Sequence, residues 1–515
     1  MTKAELMKYA NDPFWVRLRM FLFILFWIVW LAMLIGAIAI IAFAPGCPAT
    51  AKLPWWKKCS LMQISVQNDA PNFNGQMVQA TKAIESLNSN FPTIRSAAFD
   101  GIIIAGVNPL FLRTSSKNSS DEEILKFKQS FLDLVQEAHS DDRKLIMAFW
   151  LSETPTGVDW FTKSTNNITG FENFYIWRPE MQSNNLKNVS WEYNADRMGF
   201  SLRRAPGYSL LNFGENNTKE KLKELFLNWV RTRLDGIQAD GDFYVDDGEI
   251  HISAEIATLF HKWMKTGGDN KAFLIANSEF RDEFALGSEA YELSPSSTLW
   301  DDLVRAQNHK QKLKEIFENF IEKERELGIL NKTTKDYSAM NAHQTGRGWK
   351  TIRIQHSESE KNSLALKNGK TVAEGVIAAF FMMPKVTPIV EIQEDKLTKL
   401  QLNPFWPQLH KLRKTHSETF LLGSSKTLKV SDDEVFAVQR MFPEKNNILL
   451  FINFSKVSKD ITVTGDSLPD LKTHDAKVVL VDSDSDQLLI GTTMSFPSFK
   501  INAKQVVLIE FVPKN

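Results

Sequence analysis

Cysteine is nearly missing from this chain: there are two, Cys47 and Cys59, among 515 residues. Two cysteines cannot build a disulfide scaffold, so the bulk of the chain must fold on its own core. Net charge is missing altogether, since 61 Lys and Arg offset 61 Asp and Glu. That balance leaves no chain-wide footprint for nucleic acid, and none is expected as a partner. Histidine is sparse and scattered; His251 and His261 stand ten apart and no H-x-x-x-H occurs, which argues against a zinc set. Asp240-Gly241-Asp242, with Asp246-Asp247, is acidic but lacks the full EF-hand pattern and reads as a polar loop. No metal or cofactor is expected. Internal repeats and long low-complexity tracts are lacking too. What remains is a long chain with 43% hydrophobic residues, enough for two or three domains around a large core.

One stretch lacks both charge and proline for 25 residues, Met20 to Ala44. A helix needs ~20 apolar residues to cross a bilayer core ~30 Å thick. At ~1.5 Å per residue this run spans with some tilt. Trp15 on one side and Trp55-Trp56 on the other suit the interfacial belts. Ala42-Phe43-Ala44 resembles a signal-peptidase site. The run, however, far exceeds a signal core of ~7–15 residues, and Pro45 would sit at the new N-terminus. A retained signal anchor in a lipid bilayer is the reading. Arg17 and Arg19 abut the run and favour an N-terminus inside. Ala32, Gly36 and Ala39 lie on one helical face, where small residues let helices approach closely in lipid.

Six N-x-S/T sequons follow, at Asn118, Asn167, Asn188, Asn216, Asn331 and Asn453. They fit N-glycosylation in a lumenal, then extracellular, location. The expectation is a single-pass type II protein: tail 1–19, span 20–44, stalk 45–60. A thiol in that compartment tends to oxidise. Cys47, three residues past the span, has three candidate partners: Cys59, its own twin, or another protein. The residues alone leave these open.

Beyond the stalk, strand and helix signals alternate. Gly101–Ala105, Leu145–Phe149, Gly236–Ala239, Phe273–Ala276 and Thr351–Ile354 are short apolar or strand-like runs. Amphipathic helices stand between them: one from Asp121 capped by Ser119-Ser120, one over 219–233, one over 255–265, a long charged one over 302–327, and one over 372–382. Alternation predicts βαβ units and a parallel sheet, and 61–419 suits a (β/α)8 barrel with insertions. Spacing alone does not exclude a doubly wound sheet. From 420 to 515 short β runs separated by Asp, Ser, Gly and Pro predict an antiparallel β-sandwich.

Trp15-Val16-Arg17, Phe26-Trp27, Trp30, Met33-Leu34, Gly36-Ala37, Ile40-Ile41, Ala44-Pro45, Cys47 and Trp55-Trp56 resemble the membrane and stalk segment of the heavy subunits of heteromeric amino-acid transporters. The ectodomain is similar to the α-amylase glycoside hydrolase family. Met383–Val390 resembles a turn late in those barrels, with Lys385 for a glycine, and Tyr175–Pro179 resembles another loop. Retaining glycosidases need two carboxyl groups ~5–5.5 Å apart, and the resemblance says where to look. D-x-x-x-N-H is replaced at Phe149–Thr154. G-F-R-x-D becomes Gly236–Asp240: Asp240 keeps the nucleophile position, while Gln238 replaces the arginine and its bidentate fork. Asn277 stands at the acid position, with Glu279 two residues on, and Ser357 replaces the last aspartate beside His356. One of three carboxylates is retained by position, which implies an inactive barrel.

The resemblance implies a function in assembly. In that family a cysteine just outside the membrane bonds a multi-spanning light subunit, which the heavy subunit carries to the plasma membrane and stabilises. Cys47 occupies that position. Cys59 has no role the resemblance assigns, and stays open as a free thiol or a second disulfide. The competing expectations are a membrane-anchored α-glucosidase using Asp240 and Glu279, and a surface receptor with a protein ligand.

Overall fold

A computed structural model describes residues 12–43, 53–66, 73–107, 121–180, 189–240, 254–267, 271–275, 294–295, 298–326, 350–355, 369–399, 405–442, 445–463, 475–481 and 488–512. Two units result, each taken by itself. Among the described residues the N-terminal unit is one helix, α1 (Pro13–Phe43). Asp12 caps it, its Oδ1 accepting the Phe14 N–H at 3.0 Å, and Pro13 at the first turn gives up no needed donor. Pro13–Arg19, expected in the tail, therefore belong to the helix. It is long and apolar enough to cross a membrane. Ala32, Gly36 and Ala39 share one face, and a Cβ at Gly36 would meet nothing within 4 Å.

The second unit is built on eight parallel strands: β1 (Leu61–Ser65), β2 (Gly101–Ala105), β3 (Lys144–Trp150), β4 (Gly236–Asp240), β5 (Ala272–Ile275), β6 (Ser294–Pro295), β7 (Lys350–Gln355) and β8 (Val386–Gln393). Pairing follows chain order, with β8 returning to β1 (Leu61 opposite Ile389). The two edge strands β5 and β6 lie beside each other. This is the (β/α)8 arrangement, wrapped by helices that include α3 (Phe73–Ser89), α4 (Asp121–Ser140), α5 (Asn216–Val230) and α6 (Ala254–Gly267). Alternation along each strand sorts the side chains. Leu61, Ile103, Ile146, Ala148, Ala272 and Ile389 fill the interior, while Met62, Ile64, Ile102, Ile104, Leu145, Met147 and Val390 face the helices.

Two features depart from expectation. The long helix over 302–327 is two: α7 (Thr298–Arg305) and α8 (His309–Glu326). Asn308 divides them, its Oδ1 accepting the Gln311 N–H at 3.0 Å as an N-cap does. Between β3 and β4 an unexpected excursion folds into two small antiparallel sheets, pairing 153–155 with 208–210 and both 177–178 and 190–194 with 199–203.

α9 (Lys370–Phe381), α10 (Phe405–Thr415) and α11 (Ser417–Leu421) lead to the C-terminal sandwich. Its six-stranded sheet comprises β9 (Ser424–Thr427), β10 (Val435–Met441), β11 (Asn447–Asn453), β13 (Asp475–Val481), β14 (Thr493–Ser495) and β16 (Val506–Phe511); β12 (Lys459–Thr462) pairs with β15 (Ser498–Ile501). One face, with Phe436, Val438, Leu450 and Val506, joins the barrel's core. The other, with Ala437, Leu449, Phe451 and Ile509, packs on Ile461 and Ile501. Gly375 on α9 lies so close to Val506 and Ile452 that a Cβ there would clash. Arg440, fully buried, donates from Nη2 to the carbonyls of Thr419 (3.0 Å) and Phe420 (2.8 Å) and ties sandwich to barrel.

Candidate functional site

The active end of such a barrel is the rim at the strand C-termini. Asp240 is the last residue of β4, opposite Trp150 of β3. Its side chain, and all of Asn277, Glu279 and Ser357, lie outside the described residues. What lines the interior below is a chain of amides. Gln238, fully buried where the resemblance would place an arginine, donates from Nε2 to Gln63 Oε1 at 3.3 Å. Gln63 in turn donates to Glu391 Oε1 at 3.3 Å, and Ser65 Oγ–H donates to the same oxygen at 2.8 Å. Glu391 was not anticipated, yet the two-residue period of Thr387, Ile389, Glu391 and Gln393 marks the inward face of β8. Two neutral amides, a hydroxyl and one hydrogen-bonded carboxylate can bind a polar group. They do not form a nucleophile and acid pair.

At the first motif, Phe149 packs outward on Trp229 with ring centres 5.5 Å apart. Thr154 Oγ1 shares a 2.7 Å hydrogen bond with the Tyr175 hydroxyl. Both positions serve packing of the fold.

The opposite, N-terminal pole holds the surprise. The stretch expected as the end of a stalk is a plug. α2 (Trp55–Lys58) makes one turn after Pro54. Trp56, Lys57, Cys59 and Ser60 are all buried. Trp56 and Cys59 pack on Leu61, Ile103, Ile146 and Ile389 at the base of the interior. The Trp56 carbonyl accepts from Thr387 Oγ1 at 2.9 Å and from the Cys59 thiol at 3.3 Å. Burial, then the nearby Asp100 charge, pushes the Cys59 thiol well up, so it stays protonated and unreactive. Cys59 stands as a free, buried thiol, which supports the first of its two expected alternatives over a second disulfide.

Asp100, just before β2, latches the plug. Its Oδ2 accepts the Ser60 N–H at 2.8 Å and the Ser60 Oγ–H at 3.0 Å, and Lys414 Nζ sits 2.7 Å from Oδ1. Burial alone would raise this carboxyl; the Lys414 and Ser60 hydrogen bonds outweigh it and hold it below its ordinary value. Ser60 Oγ also lies 2.6 Å from His410 Nδ1. Burial, with Arg413 and Lys414 nearby, drives His410 down to about 3 despite the Asp100 charge, so the ring is neutral. Arg413 donates to the Phe381 and Val386 carbonyls, the latter at 2.7 Å.

Cys47 lies outside the described residues, as do the sequons at Asn118, Asn188 and Asn331. Asn167 is exposed in a turn with φ +50°, and Asn216 is exposed at the start of α5. Asn453, the last sequon, offers no room for a glycan in this fold. It is fully buried, its Nδ2 donating to the Val457 (3.0 Å) and Asn502 (2.7 Å) carbonyls and its Oδ1 accepting from Ser455 N–H at 2.8 Å.

Residues 1–62 match the family described as "Solute carrier family 3 member 2 N-terminus". The chain is 31% identical over 157 residues to the amino acid transporter heavy chain SLC3A2 of Mus musculus, covering 28% of this chain and 27% of that one. It is 26% identical over 241 residues to the heavy chain SLC3A1 of Rattus norvegicus, covering 42% and 33%. The match thus spans between a quarter and a third of these relatives' length. The trehalose-6-phosphate hydrolase of Bacillus licheniformis shares the fold, with a TM-score of 0.56 at 16% identity over 89% of this chain and 100% of that one.

Proposed function

We propose, for a chain that resembles amino-acid transporter heavy chains and carries an α-amylase-type ectodomain, that it is the non-catalytic heavy subunit of a heteromeric amino-acid transporter. The observation that carries this is the match over residues 1–62, which takes in the apolar helix, Cys47 and the plug in one stretch. In this reading the N-terminus is cytoplasmic, the ectodomain is extracellular at the plasma membrane, and Cys47 bonds a multi-spanning light subunit. Cys47 is six residue steps from Leu53, at most ~21 Å of extended chain, so a bonded partner is held within that reach of Leu53. A covalent link makes further weak contacts intramolecular. Ala32, Gly36 and Ala39 supply one such contact in lipid. The amino-acid path belongs to the partner, since Met20–Ala44 has no ionisable residue to line one. Asn167 and Asn216 carry glycans, with Asn118, Asn188 and Asn331 as further acceptors.

Depleting the chain should strand its partner inside the cell and abolish the matching amino-acid uptake at the surface. Uptake and surface level unchanged by depletion would contradict the proposal. The likeness of fold to solved glycosidases favours one second reading, an anchored α-glucosidase using Asp240 and Glu279. It requires release of glucose from α-glucosides that Asp240→Asn abolishes.

A further inference from the structure

The outer surface of the barrel carries a cleft that neither the plug nor the mouth uses. It lies between α4 and α5 and encloses about 230 Å³. Its floor is apolar: Phe127, Phe131, Val135 and Leu225, with Trp229 as a wall. Phe131 meets the Trp229 ring edge-on, centres 5.7 Å apart. Leu132 on the rim is 52% exposed, and Leu125, two turns earlier on α4, is 64% exposed. A concave apolar floor with open apolar side chains at its rim is the setting in which small apolar ligands bind.

The polar part of the lining has one sign. Lys128 from α4 and Arg233 from the turn after α5 stand at the edge, and among the described residues no acid lines the cleft. Both are exposed, and among the described residues neither has an ion-pair partner. Elsewhere on α4, by contrast, Lys126 is paired with Glu85 at 3.0 Å. An apolar pocket with unpaired cations at its lip is complementary to an amphiphile with an apolar body and an anionic head. Size restricts the body. An engineered apolar cavity of ~150 Å³ takes up benzene, with six carbons, so in proportion this cleft of about 230 Å³ holds about nine non-hydrogen atoms.

We propose that the cleft between α4 and α5 binds a medium-chain carboxylate amphiphile, its chain against Phe127, Phe131 and Trp229 and its carboxylate between Lys128 and Arg233. A peptide carrying a hydrophobic and acidic pair is the competing occupant, and the test separates them.

The experiment uses the full chain in intact membranes and a ten-carbon carboxylate bearing an alkyl diazirine, with the matching alcohol as the uncharged probe. After photolysis, peptides are mapped. The expected result is label concentrated on 127–135 and 225–233, displaced by decanoate, at least fivefold weaker with the alcohol. Lys128→Glu with Arg233→Glu, both surface changes, should reduce the label at least fivefold, and Lys265→Glu should leave it unchanged. Labelling that is equal for acid and alcohol, equal in the double variant, or spread evenly over the ectodomain would overturn the proposal. So would a cleft that decanoate cannot clear but a cross-linked neighbouring protein occupies.

Discussion

Removing the Asp100 carboxylate should open the plug, and Cys59 reports the opening. In Asp100→Ala the Ser60 N–H, at a residue with no exposed surface, loses its acceptor. An orphaned buried donor costs about 1–3 kcal/mol. The Ser60 hydroxyl keeps a partner, because His410 can take the tautomer that accepts at Nδ1. The Lys414 pair adds about 0–1 kcal/mol, since that lysine is 68% exposed. The two ranges add to about 1–4 kcal/mol, with about 2–3 kcal/mol at the middle. Where alkylation is slow against reclosing, its rate follows the open population, and ~1.4 kcal/mol is tenfold. In a Cys47→Ser background Asp100→Ala should therefore speed maleimide labelling of Cys59 by about 30- to 150-fold. Asp100→Asn keeps an acceptor for the Ser60 N–H and should give less than tenfold. If Cys59 of the parent reacts as fast as a surface thiol, or if Asp100→Ala changes nothing, the plug is not latched as described.

Three further outcomes follow from the same contacts. His410 has a folded pKa of about 3 against an ordinary 6.5, so the unfolded chain binds the extra proton between those values. Stability is then full above about pH 6.5 and falls as pH drops toward 3, by about 2 kcal/mol between pH 7 and 5. His410→Gln should flatten that part of a melting profile, and an unchanged slope would contradict the buried neutral ring. Gly375→Leu should destabilise by about 1–3 kcal/mol through the clash with Val506 and Ile452, read as a lower melting temperature. Asn167→Gln and Asn216→Gln should each remove one glycosidase-sensitive step in gel mobility, while Asn453→Gln should remove none and lower stability instead.

Much of the architecture is legible along the chain. Gly101–Ala105 reads as a buried strand because Ile102, Ile103 and Ile104 are apolar on both faces, and it is β2. The uncharged run from Met20 makes α1 visible because a membrane helix is a local property of composition. The plug was not legible. Pro54, Lys57 and Lys58 look like an exposed stalk, yet Trp56, Lys57, Cys59 and Ser60 are buried, and what holds them is distant: Asp100 is 40 residues from Ser60, His410 is 350, and Thr387 is 331 from Trp56. The burial of Asn453 is hidden for the same reason. A sequon is three residues long, whereas its burial depends on Asn502 across the sandwich. Glu391 could have been found by continuing the period of β8 inward past Ile389. The stretch 302–327 reads as one helix because charged residues continue on both sides of Asn308, and only the cap divides them.

The central claim is that Cys47, and not Cys59, tethers a partner. Native membranes run on a non-reducing gel, with Cys47→Ser and Cys59→Ala beside the parent, test it directly. The account predicts a high-mass band that reductant collapses, that Cys47→Ser abolishes and Cys59→Ala preserves, and that yields a multi-spanning protein by mass spectrometry. A chain that runs as a monomer in every lane, or a band that survives Cys47→Ser, would contradict it.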